Sequence, residues 1–354
     1  MSLTLENLSR EVDGVDYIRD ANLTFEAGSF NVLLGRTLAG KTSLMRLMAG
    51  LDKPDSGPLI YNGEDVTGQS VQSRNISMIY QQFINYPSMS VYDNIASPLR
   101  LMGKSRKEID DAVRKTADLM QLTPMLGRKP LELSGGQQQR CALARALVKD
   151  AGLVLLDEPL ANLDYKLREE LRDQLPELFA GRGAVVVYAT SEPEEALLLG
   201  GKTALMDDGS VAQFGTTADI YRHPETLLAA EIFSDPPINV AQIEKRGGTA
   251  KMGFNISWNL SGHAADLKDG EYKIAVRANH VLPFKTDEAS VPITGHVMVT
   301  ELSGSESSAH FKAEMANWVS LARGVHPYQV GEDHQFFMDP SKCFVFAPDG
   351  TLVG

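Results

Sequence analysis

Four short segments of the chain are apolar at consecutive positions and do not alternate with polar residues. They comprise residues 30–34, 76–80, 153–156 and 184–189. Strands that are buried on both faces show this pattern, and such strands belong to largely parallel sheets covered by helices. The pattern therefore predicts an α/β domain.

Helical periodicity appears between these strands. Ser105 and Glu108 have the spacing of a capping box, and apolar residues follow at helical intervals up to Met120. A second apolar stripe predicts another helix, in which Pro176 is expected to strain or end the helix. The residues of this stripe are Leu167, Leu171, Leu175 and Leu178. Asp208-Gly209, flanked by short apolar runs, predicts a hairpin.

The pattern changes after Asp235-Pro236-Pro237. Beyond this point short β-rich segments are separated by glycines, and no long helix is indicated. The segments are 256–260, 272–277, 297–302 and 343–346. We therefore predict a first domain at residues 1–235 and a small β-barrel at residues 236–354.

Composition narrows the function classes. A length of 354 residues suits two domains, and a formal net charge of -12 argues against a protein that coats nucleic acid or anionic lipid. The two cysteines lie far apart in sequence, which favours a reducing compartment. The sequence shows no charged leader followed by an apolar core, so we expect no export. No apolar run approaches the roughly 18 residues that span a bilayer. Any membrane process served by this chain would need other chains to cross the membrane.

A phosphate-binding loop is predicted between the first apolar strand and a helix with an apolar face. Glycines let backbone N–H groups converge on phosphate oxygens, Lys41 can neutralise the β and γ phosphates, and Thr42 can bind Mg²⁺. The strand and helix context favours this interpretation over a simple glycine-rich turn. The loop residues are Gly35, Arg36, Thr37, Leu38, Ala39, Gly40, Lys41 and Thr42, followed by Ser43.

Asp157 and Glu158 directly follow the apolar strand 153–156. Ligands of parallel α/β sheets bind at the carboxyl ends of strands, so both carboxylates are placed at the expected site. Asp157 would hold Mg²⁺, and Glu158 would activate the attacking water as general base. Taken alone, the motif could equally be a solvated acidic turn.

Leu133 is followed by Ser134, Gly135, Gly136 and Gln137 and then by a helical run. With this motif the chain resembles the ATPases of ATP-binding-cassette (ABC) transporters, whose signature it is. The stretch from Asp157 to Asp164 resembles their Walker B and D-loop. In that family the signature binds the γ-phosphate held by the opposite subunit. A helix N-terminus with a serine and glycines suits this role, because its hydroxyl and backbone N–H groups can bind an anion.

The resemblance extends over the whole chain. Gln81 matches the family's Q-loop glutamine, which contacts the Mg²⁺ and water region, and residues 83–87 would form part of a groove for the permease's coupling helix. A helical subdomain is expected at about residues 84–150. The C-terminal part resembles the OB-like regulatory domain of carbohydrate-importer ATPases, through Arg277 to Pro283 and Asp349 to Thr351.

Two positions depart from the family pattern. Ser191 stands where the family has its switch histidine, and all seven histidines of the chain lie after residue 222. A hydroxyl can hydrogen-bond, but it lacks the reach and charge of imidazole. Val12 stands where an adenine-stacking aromatic is usual, with Tyr17 nearby as the other candidate. These departures indicate a weakened nucleotide site beside an intact signature.

The resemblance implies an ATP-binding subunit of a bacterial importer for a sugar or polyol, with glycerol as the favoured solute and with ATP and Mg²⁺ as cofactors. It implies a second, non-identical ATPase subunit, two membrane permeases and an extracytoplasmic solute-binding protein as partners, and no nucleic acid. The chain would lie on the cytoplasmic side of the inner membrane. The alternative is a mainly non-hydrolysing regulatory subunit of the same kind of transporter. A soluble ABC protein of DNA repair or translation is disfavoured because no coiled-coil insertion or second cassette is present.

Overall fold

A computed structural model gives the fold of the chain in two compact units, Met1–Ala218 and Asp219–Gly354. The described residues are 1–28, 30–81, 84–161, 163–179, 181–314 and 316–354. The predicted groove residue Phe83 and the side chain of Leu167 lie outside this description. The division between the units falls earlier in the chain than the boundary predicted at residue 235.

The first unit alternates strands and helices along the chain. Its strands are β1 (Ser2–Val12), β2 (Val15–Glu26), β3 (Phe30–Gly35), β4 (Leu59–Tyr61), β5 (Glu64–Asp65), β6 (Ile76–Ile79), β7 (Leu153–Asp157), β8 (Val185–Thr190), β9 (Lys202–Asp207) and β10 (Ser210–Thr216). Its helices are α1 (Lys41–Ala49), α2 (Val91–Leu101), α3 (Arg106–Leu119), α4 (Gly135–Leu147), α5 (Tyr165–Phe179) and α6 (Pro193–Leu199), and α7 (Thr217–Arg222) follows.

The main sheet has the strand order β10-β9-β3-β8-β7-β6, and only β10 is antiparallel to its neighbour. Every residue of β3, β7 and β8 is buried, which confirms the α/β prediction made from continuous apolar runs. The carboxyl ends of β3, β8, β7 and β6 consequently lie side by side at one edge. The loops that leave these strands carry most of the predicted functional residues.

A smaller antiparallel sheet, β2-β1-β4-β5, covers α1. Leu5 and Phe25 of this sheet share one core with Leu44 and Met48 of α1 and with Leu155 of β7. The helix is therefore buried between two sheets. This packing fixes the N-terminus of α1 against the edge of the main sheet.

Helices α2, α3 and α4 are inserted between β6 and β7, where the helical subdomain was predicted. The capping box of α3 is present, with Ser105 and Glu108 each accepting from the other's backbone N–H. Helix α5 continues past Pro176 to Phe179, so the proline does not end it. Pro176 lacks the N–H that would donate to the Arg172 carbonyl, and the three residues that follow it still complete the last turn. The predicted hairpin at Asp208-Gly209 joins β9 to β10, with both turn residues at positive φ.

The second unit contains the helix α8 (Leu227–Ile232) and two antiparallel five-stranded sheets. Their orders are β13-β12-β11-β14-β20 and β15-β19-β16-β17-β18. The strands are β11 (Asn239–Arg246), β12 (Thr249–Met252), β13 (Ile256–Asn259), β14 (Gly270–Val276), β15 (Val281–Leu282), β16 (Val291–Leu302), β17 (Glu306–Ala313), β18 (Ala316–Arg323), β19 (Asp333–Met338) and β20 (Phe344–Phe346). Both sheets contribute to one apolar core, which confirms the predicted small β-barrel.

One side chain joins the two sheets of the barrel, and another joins the barrel to α7. Asn239 of β11 donates to the Val319 carbonyl at 2.8 Å and accepts from the Val319 N–H at 2.5 Å, so it joins the two sheets where no strand pairing does. Arg277, part of the stretch that carries the resemblance, lies 3.6 Å from the centre of the Tyr221 ring and donates to the Tyr221 carbonyl. The role of Arg277 seen here is structural.

Candidate nucleotide-binding site

The predicted phosphate loop connects β3 to α1, and close backbone packing explains its glycines. A Cβ atom at Gly35 would lie 2.4 Å from the Met206 carbonyl oxygen. At Gly40, which has φ +98°, it would lie 3.0 Å from the Tyr17 carbonyl oxygen. Gly40 is also the N-cap of α1, and no side chain caps this helix. The N-terminus of α1 thus has the backbone form of an anion site.

Lys41 is buried at the base of this loop, with 5% of its side chain exposed. Its ammonium donates to the carbonyls of Gly35 at 2.7 Å and Arg36 at 3.1 Å, and it lies 3.6 Å from Glu158 Oε1. Burial lowers the pKa of Lys41, and the charges of Glu158 and Asp157 oppose that shift. The ammonium is held where the loop would bind phosphate.

Asp157, at the end of β7, accepts a 2.8 Å hydrogen bond from the Thr42 hydroxyl. Its carboxylate is buried, and burial raises the pKa of Asp157 although the Thr42 hydrogen bond lowers it. A hydroxyl, a carboxylate and the nearby Gln81 amide form an oxygen-rich donor set that fits Mg²⁺, which is usually held by one or two carboxylates plus substrate phosphates. Within the described part of the chain no cluster of three or more His, Cys, Asp or Glu residues could hold a metal by itself.

Glu158 has its backbone in the left-handed region, with φ +44°, and its N–H donates to the Ala189 carbonyl of β8 at 3.0 Å. One carboxylate oxygen faces Lys41, and the other accepts a 2.9 Å hydrogen bond from Gln81 Nε2. Backbone strain of this kind clusters at functional sites. Gln81 and Glu158 follow the neighbouring strands β6 and β7, and Lys41 begins α1 after β3, two strands from β7. Together Lys41 and Gln81 orient the Glu158 carboxylate beside the phosphate loop.

A cavity of about 320 Å³ contains these groups. Of the predicted residues, the structure brings Gln81 and Glu158 together there with Thr37, Leu38, Gly40, Lys41, Thr42 and Ser43. Gly35, Arg36 and Ala39 belong to the loop but do not line the cavity, and Asp157 lies behind Thr42. The complete lining is Val15, Asp16, Tyr17, Thr37, Leu38, Gly40, Lys41, Thr42, Ser43, Gln81, Glu158, Asp208 and Gly209.

Sequence reasoning missed Val15, Asp16, Asp208 and Gly209. They reach the cavity on the β1–β2 and β9–β10 hairpins, and Asp208 is fixed there by Arg19, whose guanidinium donates to its backbone and side chain. The predicted Asp208-Gly209 hairpin was the only sequence signal for two of them. Nothing in the local pattern showed that this hairpin lies against the phosphate loop.

The two positions that depart from the family pattern, Val12 and Ser191, do not line the cavity either. Val12 pairs with Val15 across the β1–β2 turn, while Val15 and Tyr17, both exposed, do line it. Ser191 is exposed and follows β8, two residues beyond the Ala189 carbonyl that binds Glu158. Tyr17 is therefore the aromatic side chain that the fold places at the cavity. Ser191 lies at the carboxyl end of β8, outside the cavity lining.

Leu38 of the phosphate loop is almost fully exposed, at 95%. Its φ of +71° is left-handed. For a residue with a Cβ that conformation costs roughly 1–2 kcal/mol. The loop therefore carries local strain at the mouth of the cavity.

The predicted signature forms the N-terminus of α4. Ser134 is the N-cap, and it forms a reciprocal capping box with Gln137. Gly135 has open space around its Cα, and at Gly136 a Cβ would meet only Leu163, at 3.7 Å. None of the four signature residues lines the 320 Å³ cavity.

The predicted D-loop residue Asp164 is exposed and lies at the start of α5. Its carbonyl accepts a hydrogen bond from the Arg168 N–H.

A separate groove of about 280 Å³ lies between β6, α2 and α4. The Arg145 guanidinium lies 4.8 Å from the centre of the Tyr86 ring and donates to the Ile84 carbonyl. Ile84, Tyr86 and Leu101 expose apolar surface at this groove. It is the region where residues 83–87 were predicted to receive a permease segment. No helix of the described residues is long and apolar enough to cross a bilayer.

Comparisons with known proteins agree with this geometry. Residues 18–161 match the family model described as ABC transporter. The sn-glycerol-3-phosphate import ATP-binding protein UgpC of Pectobacterium atrosepticum is 33% identical over 353 residues, covering 99% of this chain and 98% of the relative. The maltose/maltodextrin import ATP-binding protein MalK of Escherichia coli K12 is 32% identical over 362 residues, covering 99% and 96%.

A solved structure shows the same relationship for the first unit. The dimeric post-hydrolysis structure of the ATP-binding cassette MJ0796, bound to ADP and Pi, has a TM-score of 0.56 and 26% sequence identity. It covers 61% of this chain and 98% of that cassette. Together with the full-length similarity to import ATP-binding proteins, this shows that the chain belongs to the ABC transporter family and is an ABC-type ATPase of the carbohydrate-importer group.

Proposed function

We propose that the chain is the ATP-binding subunit of a bacterial importer for a sugar or polyol, with glycerol as the favoured solute. It would bind two permeases at the cytoplasmic face of the inner membrane, and the permeases would receive solute from an extracytoplasmic binding protein. The relatives' names, which concern import of glycerol 3-phosphate and maltose, support the solute class. The exposed groove at Ile84 and Tyr86 supports a permease contact.

The ATPase role rests on one observation, namely that Glu158 contacts both Lys41 and Gln81. Lys41 and the α1 N-terminus would bind the β and γ phosphates, and Thr42 and Asp157 would hold Mg²⁺ with Gln81. When bound, Mg²⁺ neutralises developing phosphate charge. Glu158 would accept the proton of the attacking water, and its hydrogen bond from Gln81 would hold the carboxylate in place for that step.

The chain's own nucleotide site is proposed to turn over slowly. Ser191 offers no cation to the γ-phosphate, and Leu38 strains the phosphate loop. Val12 does not add to this weakness, because Tyr17 is the side chain that brings a ring to the cavity. The signature from Ser134 to Gln137 shows no such defect. Its capping box is complete, and the space around the Cα atoms of its two glycines is free of close contacts. We infer that the signature completes the competent site of a second, non-identical ATPase subunit.

A mainly non-hydrolysing regulatory subunit is the second candidate, and the exposed hydroxyl of Ser191 favours it. Retention of the Lys41–Glu158 contact, and of Asp157 hydrogen-bonded to Thr42, favours residual turnover. The two candidates differ only in the hydrolytic rate of this site. They share the same partners and the same location.

Changing Ser191 to histidine is expected to raise ATP hydrolysis by the purified chain about tenfold or more, because a positioned imidazole can donate to the γ-phosphate and relay a proton. Ser191→Ala serves as the control and is expected to leave the low rate unchanged, since it only removes a hydroxyl. The measurement is steady-state phosphate release. A Ser191→His rate equal to that of the wild type would show that the site is limited elsewhere.

Deletion of the gene in the native organism tests the solute. Uptake of labelled glycerol is expected to fall when glycerol is scarce and to return with the wild-type chain, whereas maltose and glycerol 3-phosphate uptake should not change. Unchanged glycerol uptake together with loss of either other activity would reassign the solute. Unchanged uptake of all three would contradict glycerol as the solute.

A further inference from the structure

Two hairpins line the part of the nucleotide cavity that takes no part in phosphate chemistry. The β1–β2 hairpin and the β9–β10 turn contribute Val15, Asp16, Tyr17, Asp208 and Gly209. The phosphate loop, with the carboxylate and the amide beside it, would bind the triphosphate. The base and ribose of ATP are therefore left to contact these two hairpins.

The β9–β10 turn lies between the phosphate loop and β2. The Gly209 N–H donates to the Ala39 carbonyl at 3.1 Å, and the Gly209 carbonyl accepts from the Arg19 N–H at 2.8 Å. A Cβ atom at Gly209 would lie 2.7 Å from the Tyr17 carbonyl oxygen. Because the turn packs this closely against β2, a shift of the turn changes the surroundings of Tyr17.

The side chain of Arg19 fixes this turn. Its Nη2 group donates both to the backbone carbonyl and to the carboxylate of Asp208. The bond to the carboxylate is charge-assisted, and such bonds are stronger than those between neutral groups. Asp208 is 84% exposed and has a left-handed φ of +42°, so little other packing restrains its side chain. We call this pair the Arg19–Asp208 clamp.

The clamp and the aromatic ring of the cavity belong to one face of β2. Tyr17 and Arg19 are alternate residues of the strand, so their side chains leave it on the same side. Ile18 between them is fully buried, whereas Tyr17 is 46% exposed and lines the cavity. Asp208 lines the same cavity, so the turn held by Arg19 limits the space open to the ring.

We propose that Arg19 is a positioning residue for the nucleotide, and that it holds the β9–β10 turn so that the Tyr17 ring stays in place for the base. The inference rests on the proposed nucleotide site. It assigns the Arg19–Asp208 clamp to the base end of ATP, so the clamp affects only ligands that carry a base.

The phosphate loop does not depend on the Arg19 side chain. The bonds from the Gly209 N–H to Ala39 and from the Arg19 N–H to Gly209 are formed by backbone groups. Lys41 is held by two carbonyls of its own loop. Removal of the guanidinium therefore leaves the phosphates their site while the base loses an ordered ring.

Full-length wild-type and Arg19→Ala chains are titrated with ATP and with inorganic tripolyphosphate, each with Mg²⁺, in a calorimeter. Arg19→Ala is expected to bind ATP about tenfold more weakly, which corresponds to about 1.4 kcal/mol, while its tripolyphosphate affinity stays within about twofold. Stacking of a base on an aromatic ring contributes on this scale. The ratio of the two affinities is the readout, because a change of net charge acts on both ligands.

Arg10→Ala is the matched control. Arg10 lies on the same hairpin and donates to the Asp55 carboxylate at 3.1 Å, but neither residue lines the cavity. This variant loses one arginine and one ion pair, as Arg19→Ala does, and it should keep the wild-type ratio. Thermal unfolding verifies that every variant folds.

Two further variants test how Arg19 acts. Asp208→Asn removes the charge of the clamp but keeps a residue type that tolerates positive φ, and it should lower the ratio in the same direction. Tyr17→Leu removes the ring, and adding Arg19→Ala to it should cause no further loss of ATP affinity, since the clamp acts through that ring.

Three results would overturn the proposal: unchanged ATP affinity in Arg19→Ala, an equal loss for ATP and tripolyphosphate, or a full additional loss in the Tyr17→Leu background. Failure of the wild-type chain to bind either ligand would refute the nucleotide site itself, and the clamp with it.

Discussion

Replacing Lys41 with alanine is expected to weaken ATP binding by this chain about 100-fold, which corresponds to about 2.7 kcal/mol. The ammonium is the buried cation of the phosphate loop, and it is the group that faces Glu158 Oε1 at 3.6 Å. Its removal takes one cationic donor from the phosphates. It also leaves the Glu158 charge without its neutralising partner next to the triphosphate, so both effects act in the same direction. Equilibrium binding of a fluorescent ATP analogue measures the change.

Lys53→Ala is the matched control for Lys41→Ala. Lys53 follows α1 by only a few residues, its side chain is exposed, and it does not line the nucleotide cavity. It should bind ATP like the wild type, with an unchanged unfolding midpoint. Equal affinity of Lys41→Ala and the wild type would mean that nucleotide is not held by this loop.

Changing Gly136 to aspartate is expected to reduce ATP hydrolysis by the assembled transporter about 100-fold or more. The substitution fits sterically, because a Cβ at Gly136 would meet only Leu163 at 3.7 Å. It places a carboxylate at the exposed N-terminus of α4, where the partner's γ-phosphate is proposed to bind. Repulsion between the two negative charges opposes closure of the ATPase dimer.

Gly127→Asp is the control for the added charge. Gly127 is exposed, has open space around its Cα and lies outside the signature. The control transporter should keep its wild-type rate and should contain the same subunits. A Gly136→Asp transporter that hydrolyses ATP at the wild-type rate would exclude a role for this signature in catalysis.

Much of the first unit could be predicted from sequence because its determinants are local. Continuous apolar runs located the four central strands, and the motif glycines located the phosphate loop. The structure gives physical reasons for both: β3, β7 and β8 are buried throughout, and Gly35 and Gly40 approach backbone carbonyls too closely for a Cβ. Parallel strand order then brings Gln81 and Glu158 together.

Residues that reach the cavity through tertiary packing could not be predicted in the same way. Asp208 and Gly209 lie at the loop because the β9–β10 turn packs against it, as the Gly209 N–H to Ala39 carbonyl bond of 3.1 Å shows. Alignment to the family selected Val12, whereas the β1–β2 hairpin carries Val15 and Tyr17 to the cavity. Hairpin position depends on contacts distant in sequence, which no local pattern encodes.

The boundary between the two units could not be predicted from the local sequence pattern either. The change to β-rich texture after Pro237 is real, yet Ala230 of α8 shares a core with Ile238 and Phe346 of the barrel. The Leu227 N–H also donates to the Gly350 carbonyl. A short helix therefore belongs to the second unit by packing, although its own sequence resembles that of the helices before it.

The central claim is that this chain contributes a signature to a partner's site while its own site hydrolyses slowly. Steady-state ATP hydrolysis by the assembled transporter carrying Glu158→Gln in this chain tests it most directly. Glutamine keeps the shape of the side chain but cannot accept the proton of the attacking water. The account predicts that at least about half of the wild-type rate remains. A loss as large as that of Gly136→Asp would contradict it, because this chain's own site would then be an equal participant in turnover.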